Sequence, residues 1–183
     1  MTVATALPTE LATGTRTIDP THSEAAFTVR HAGIYKVRGT VAITDGAVTV
    51  TDEGASVTAT LDPSTVSTGD ANRDGHLKSG DFFDVEKFGQ WTFASTEVRE
   101  NGGDWVIVGD LTIHGETRSV ELATEFNGVA VDPFGNTRAG FESSVTISRK
   151  DFGLTWNAAL EAGGVLVSDK VVITLDVSAI RQA

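Results

Sequence analysis

The 183-residue chain contains no cysteine, so no disulfide supports its fold, and thiolate catalysis and cysteine metal ligation are excluded. Basic side chains are scarce: 14 Lys and Arg stand against 25 Asp and Glu, a formal net charge of −11. A surface of that sign repels nucleic-acid phosphates and disfavours general electrostatic adsorption to anionic headgroups, and the few Lys and Arg are scattered along the chain. No apolar run approaches the roughly 18 to 20 residues that a membrane-spanning helix needs. The first twenty residues, MTVATALPTELATGTRTIDP, lack the basic start and continuous apolar stretch of a secretory signal. The expectation is a soluble protein, cytoplasmic as given, and periplasmic or secreted if a leader has been removed.

Long segments of 3.6-residue periodicity are also missing. Crossover helices are therefore excluded, and any sheet must be mostly antiparallel. What is present is strict alternation, the mark of half-buried strands. It groups Ala25, Phe27, Val29 and His31; Val37, Val41 and Ile43; Val57, Ala59 and Leu61; Trp91 and Phe93; Trp105, Ile107, Leu111 and Ile113; Val120, Leu122 and Phe126; Phe141, Val145 and Ile147; and Val171, Ile173, Leu175 and Val177. Turn signals such as TDGA, TDEG, ENGGD, HGET, FNGVAVDPFGN and EAGG separate these runs. About eight such strands with one apolar face are best satisfied by closure, which removes exposed edges. The predicted fold is all-β, an antiparallel eight-stranded barrel, with a sandwich as second choice. Residues 1–16, rich in Thr, Ala and Gly without periodicity, read as a flexible arm before a single domain over 17–183.

One stretch breaks the alternation. NRDGHLKSGDFFD, residues 72–84, follows Asp70 as a candidate N-cap and contains Gly80 as a candidate C-cap, predicting a short helix near 71–79. Phe82, Phe83, Val85 and Phe88 then form an apolar patch in a loop.

Familiar chemistries find little support. The histidines, His22, His31, His76 and His114, form no His-x-x-x-His pair, and no metal or cofactor is expected. His22 and Ser23 are adjacent, so on a strand they point to opposite faces and cannot act as base and nucleophile. No Gly-x-Ser-x-Gly occurs, and neither GIYKVRG nor GNTRAG opens a helix that could cradle phosphate. A small barrel either fills with side chains or encloses one ligand. Phe82, Phe83, Phe88 and Phe152, in loop-like stretches, suit either a plug or a greasy mouth.

IDPTHSEAAFTVRH (18–31), VSTGDANRDGHLKSGDFFDVEKF (66–88), GDLTIHGETRSVEL (109–122) and ISRKDFGLTWN (147–157) together resemble the YceI-like family of polyisoprenoid-binding, lipocalin-like proteins. The resemblance covers nearly everything after residue 17. It implies an extended barrel whose hydrophobic cavity binds a polyisoprenoid, an isoprenoid quinone or a similar long-chain amphiphile, for storage or transport and without catalysis. Expected cavity and mouth residues are Phe27, Val29, His31, Val41, Leu77, Phe82, Phe83, Phe93, Leu111, Ile113, Phe152 and Trp156. Asp19, His22, Ser23, Arg73, Asp74, His76, Arg149, Asp151 and Gly153 carry the family's structural motifs, with Arg73, Asp74 and His76 fixing the short helix and Arg73 expected against a buried partner. Gly89 stands where relatives often have proline. Competing readings are a small hydrolase or isomerase using His31 or His76 as a base, and an interaction module with a filled barrel. Expected partners are a lipid ligand and no nucleic acid, with transient membrane contact and a homodimer left open.

Overall fold

The computed structural model describes residues 7–183. Nine strands and one α-helix follow in order: β1 (Gly14–Ile18), β2 (Glu24–His31), β3 (Tyr35–Thr51), β4 (Gly54–Ser67), α1 (Ala71–Lys78), β5 (Trp91–Asn101), β6 (Asp104–Ile113), β7 (Glu116–Val131), β8 (Thr137–Ser148) and β9 (Val167–Arg181). Every strand pairing is antiparallel. The sheet runs β3-β2-β9-β8-β7-β6-β5-β4 and closes through β3–β4, which makes the predicted eight-stranded barrel.

The ninth segment is not a ninth stave. β1 and β2 both lie between β3 and β9: Thr17 pairs with Ala47 and Ile180, whereas Ala25 pairs with Val41 and Leu175. A 3-10 turn at Pro20–His22, capped by the Asp19 carboxylate accepting from the Thr21 N–H, interrupts this one position. Ordered strand thus begins at Gly14, within the stretch expected as an arm. Gly14–Arg16 belong to β1, where their backbone pairs with β3, and the apolar side chain of Leu11 is buried at the barrel end. Residues 1–6 of the expected arm lie outside the described residues.

Two predicted turns are strand interior. TDGA falls inside β3, where the register against β4 shifts between Ile43 and Asp45; the Asp45 carboxylate accepts the Gly46 N–H at 2.9 Å, a turn-like bond absorbed by a bulge. FNGVAV likewise extends β7, with a register shift between Phe126 and Gly128, and only 132–136 form the turn. The helix spans Ala71–Lys78 under the Asp70 cap, which accepts from the Arg73 N–H at 2.9 Å. Ser79, rather than Gly80, ends it: its N–H and Oγ–H both reach the His76 carbonyl.

Alternation decides what faces the lumen, and one close approach shows how tightly the wall is built. Phe27 lies directly opposite Gly39 across β2–β3, and a side chain at 39 would collide with the Phe27 ring and approach Thr68 Cγ2 to 2.9 Å. The aromatic ring fills the space the glycine leaves. Gly39→Ala is expected to lower unfolding free energy by about 1 to 3 kcal/mol through overpacking, measured by urea denaturation; an unchanged midpoint would mean that the Phe27 ring moves aside freely.

Candidate functional site

The inward faces do not fill the barrel. They enclose a cavity of about 560 Å³. All the alternating residues grouped from the sequence contribute to its wall, from Ala25 on β2 to Val177 on β9. The wall is apolar except at a few points. Its exposed members, Arg30, His31, Asn72 and Arg73, all lie at the end carrying α1 and the β2–β3 turn. That end is the mouth, and Leu7, Pro8 and Leu11 meet the cavity at the other.

Each element places a side chain for a local reason. Residues 79–88 fold back on the end of α1: the Phe83, Val85 and Asp84 N–H groups donate to the carbonyls of Leu77, Lys78 and Ser79. Phe82 and Phe83 are thereby turned inward and buried. Phe83 meets the edge of Trp91 with ring centroids 4.7 Å apart, and Phe82 and His76 both pack on Trp156, at 5.2 and 4.8 Å. This lip is pinned to the end of β4 by a polar relay. Arg73 Nε donates to Thr68 Oγ1 (2.7 Å), Arg73 Nη2 to the Thr68 carbonyl (2.8 Å), and Thr68 Oγ1 to Asp74 Oδ1 (2.6 Å). Arg73 is itself exposed, contrary to the expectation of a buried pairing, because Thr68 lies at the barrel rim. His76 Nε2 and Asp81 Oδ2 lie 2.8 Å apart. No hydroxyl nucleophile is hydrogen-bonded to His76 or His31 among the described residues.

The RKDFG segment builds the opposite side of the mouth. It forms a 3-10 turn, Arg149–Phe152, ended by Gly153 at φ 71°, a left-handed conformation that glycine adopts without steric cost. Arg149 is only 4% exposed. Its guanidinium donates to the carbonyls of Ser168 (2.8 Å), Leu154 (2.7 Å), Trp156 (2.9 Å) and Val167 (3.2 Å), tying loop 154–157 and the start of β9 to the turn. Burial lowers its pKa from the ordinary value, and Asp169 acts in the other direction. Phe152 does not line the cavity. The 3-10 turn directs it into the core behind the wall, where it is 1% exposed and its carbonyl accepts from His114 Nδ1 at 3.2 Å. Asp151 faces solvent.

The first-strand motif lies away from the mouth. Asp19 accepts from the Thr21 N–H and hydroxyl, from His22 Nδ1 and from Arg138 Nη1; Arg138 Nε reaches Asp132. The Arg138 guanidinium, ahead of the other donors, holds both carboxyls well below the usual carboxylate range. Ser23 Oγ exchanges hydrogen bonds with the Ser178 backbone on β9. These groups fasten the interrupted stave and touch no cavity.

Eleven of the twelve expected cavity residues, all but Phe152, therefore lie on its wall. Sequence reasoning missed several others. Leu154 and Leu166 come from loops without periodicity, and Leu7 and Leu11 from the supposed arm. Two buried nitrogens, Arg16 Nη1 and Trp91 Nε1, have no hydrogen-bond partner among the described residues, and Trp91 is on the wall. No group of three His, Asp or Glu suited to a metal occurs among the described residues. Nor is any described helix long and apolar enough to cross a membrane.

The YceI-like domain matches residues 17–179. The chain belongs to the YceI-like family. Relatives include a UPF0312 protein of Staphylococcus epidermidis, 39% identical over 84% of this chain and 90% of its own, and one of Staphylococcus aureus, 40% identical over 85% and 91%. Among solved structures, BcnA of Burkholderia cenocepacia superposes with a TM-score of 0.76 at 19% identity, covering 88% of this chain and 98% of that one. The Campylobacter jejuni YceI protein gives 0.68 at 25% identity, over 84% and 90%. A polyisoprenoid-binding domain from Saccharophagus degradans gives 0.67 at 13%, over 93% and 100%. These likenesses show the YceI-like barrel fold.

Arg149→Met is expected to destabilise the protein by about 3 to 5 kcal/mol, since several carbonyls lose a buried cationic donor; a thermal melt within a degree of wild type would show that loop 154–157 holds itself. Arg138→Ala should lower the melting temperature at pH 7. Because the Asp19 and Asp132 pKa values are depressed in the folded state, wild type carries the added stability above the ordinary carboxylate range and loses it as pH falls from about 4. The two melting curves are expected to converge there, and a pH-independent gap would remove the ion pairs as its cause.

Proposed function

We propose that the protein is a non-enzymatic binder of a polyisoprenoid, an isoprenoid quinone or a similar long-chain amphiphile, acting as its carrier or reservoir. The observation that carries this reading is the shape and lining of the cavity: a closed apolar barrel left hollow, with its exposed polar groups gathered at one end. Each buried methylene contributes about 0.8 kcal/mol, so a five-carbon isoprene unit adds about 4 kcal/mol before the costs of ordering. A prenyl chain suits such a tube without any charged contact. The cavity volume falls within the ordinary range for small-molecule sites. Trp91 Nε1 offers an unspent donor on the wall, which suits a ligand carrying a carbonyl or hydroxyl oxygen. The Saccharophagus degradans neighbour is described as polyisoprenoid-binding, which supports the same ligand class.

Native mass spectrometry of the purified protein, followed by organic extraction, tests this. The expected result is a stoichiometric long-chain isoprenoid or quinone in wild type and at least a roughly tenfold lower occupancy in Leu111→Trp, whose indole obstructs the lumen. Wild-type occupancy in that variant, with a folded circular-dichroism spectrum in both, would place the ligand outside the barrel.

A further inference from the structure

Resting on the carrier reading, we propose that the turn between β2 and β3 is a docking surface for an anionic lipid bilayer, which brings the cavity mouth against the source of its ligand. Ile34 and Tyr35 at this turn are 85% and 63% exposed, and Val165, 52% exposed, stands on the neighbouring loop. The two loops are joined: the Ala32 N–H donates to the Leu166 carbonyl at 2.7 Å. Both reach the mouth, since Arg30, His31 and Leu166 line it. Single exposed apolar residues are ordinary, but three on tethered loops beside an apolar entrance form a projecting patch.

Charge distinguishes this patch from the rest of the surface. From Ala25 to Thr44 the chain carries Arg30, His31, Lys36 and Arg38 and no Asp or Glu, within a protein of net charge −11. Antiparallel pairing sets Arg30 opposite Lys36 and Arg38 opposite Thr28. Alternation then puts Lys36 and Arg38 on the outer face of the hairpin, with Arg30 at the rim of the mouth, joined by Lys170 on adjacent β9 beside Val172, which pairs with Thr28. The register gathers cations that are scattered along the sequence. None of these four makes an ion pair within 4 Å among the described residues, and of the four only Lys170 has an acid next to it, Asp169, which also accepts from Ser148. The lip acids Asp74 and Asp81 are engaged by Thr68 and His76. An apolar tip with an interfacial tyrosine and a collar of unpaired cations matches the layered chemistry of an anionic membrane surface.

A rival patch sharpens the assignment. At the far end, Phe134 and Val131 are equally bare, but the cation beside them, Arg138, is already spent on Asp19 and Asp132, and that turn is remote from the exposed mouth residues.

The test uses the absence of cysteine, which makes Ile34→Cys and Phe134→Cys unique positions for a polarity-sensitive dye. With vesicles of phosphatidylcholine plus phosphatidylglycerol, the label at 34 is expected to shift to the blue and the label at 134 to stay unchanged. Pure phosphatidylcholine and high salt should each abolish the shift. Ile34→Glu combined with Tyr35→Glu is expected to weaken vesicle flotation about tenfold or more, with the circular-dichroism spectrum as in wild type. No shift at 34, or a shift at 134 instead, overturns the proposal. So does a concentration-dependent dimer in sedimentation velocity that the double substitution dissociates, since a second copy would then own the tip. Failure of the carrier reading shows separately, as absence of lipid from the wild-type protein whatever the vesicles report.

Discussion

The ladder between β3 and β4 closes the sheet, and the rest of the molecule depends on it. Its register runs from Thr40 opposite Ser67 to Thr51 opposite Gly54. Without it, the strands would form an open sheet with two bare edges and an apolar face turned to water, a template for aggregation. With it, the face becomes a lumen, and the same side chains that would have demanded a second layer need only enclose a volume. Two register shifts within this ladder let long strands coil enough to meet. The hollow interior is a direct result of closure around side chains too small to fill it.

Polar interactions are concentrated at the two ends, where closure alone leaves the chain loose. Near the mouth, Arg149 gathers four carbonyls, those of Leu154 and Trp156 in a loop and those of Val167 and Ser168 at the start of β9. At the interrupted stave, Arg138 bridges Asp19 and Asp132, joining the β1–β2 break to the β7–β8 turn. Each places a planar, multiply donating cation where backbone or carboxylate acceptors would otherwise lack partners. The wall between them is left to apolar side chains.

The lumen was legible in the sequence because period-2 alternation holds between the bulges, and inward residues from Phe27 to Val177 are those the pattern selects. Bulges were not: Asp45-Gly46 and Asn127-Gly128 have the composition of turns, and only pairing with a neighbour shows that the strand continues. The role of Leu11 was hidden for the related reason that burial at a barrel end obeys no period. Phe152 shows the converse. A loop phenylalanine must be buried, but whether it faces the cavity or the packing behind the wall depends on the direction of a four-residue turn. Arg149 looked like one motif residue among several, because acceptors supplied by backbone carbonyls leave no trace in side-chain identity.

The lip has one further property. Its hydrogen bonds close within the stretch from Thr68 to Phe88, whereas its packing on Trp91 and Trp156 is aromatic. Swinging α1 and the loop after it outward therefore breaks polar bonds only at Thr68 and otherwise exposes chiefly hydrocarbon. In water, that exposure sets the resistance to opening; against an apolar medium the resistance largely vanishes.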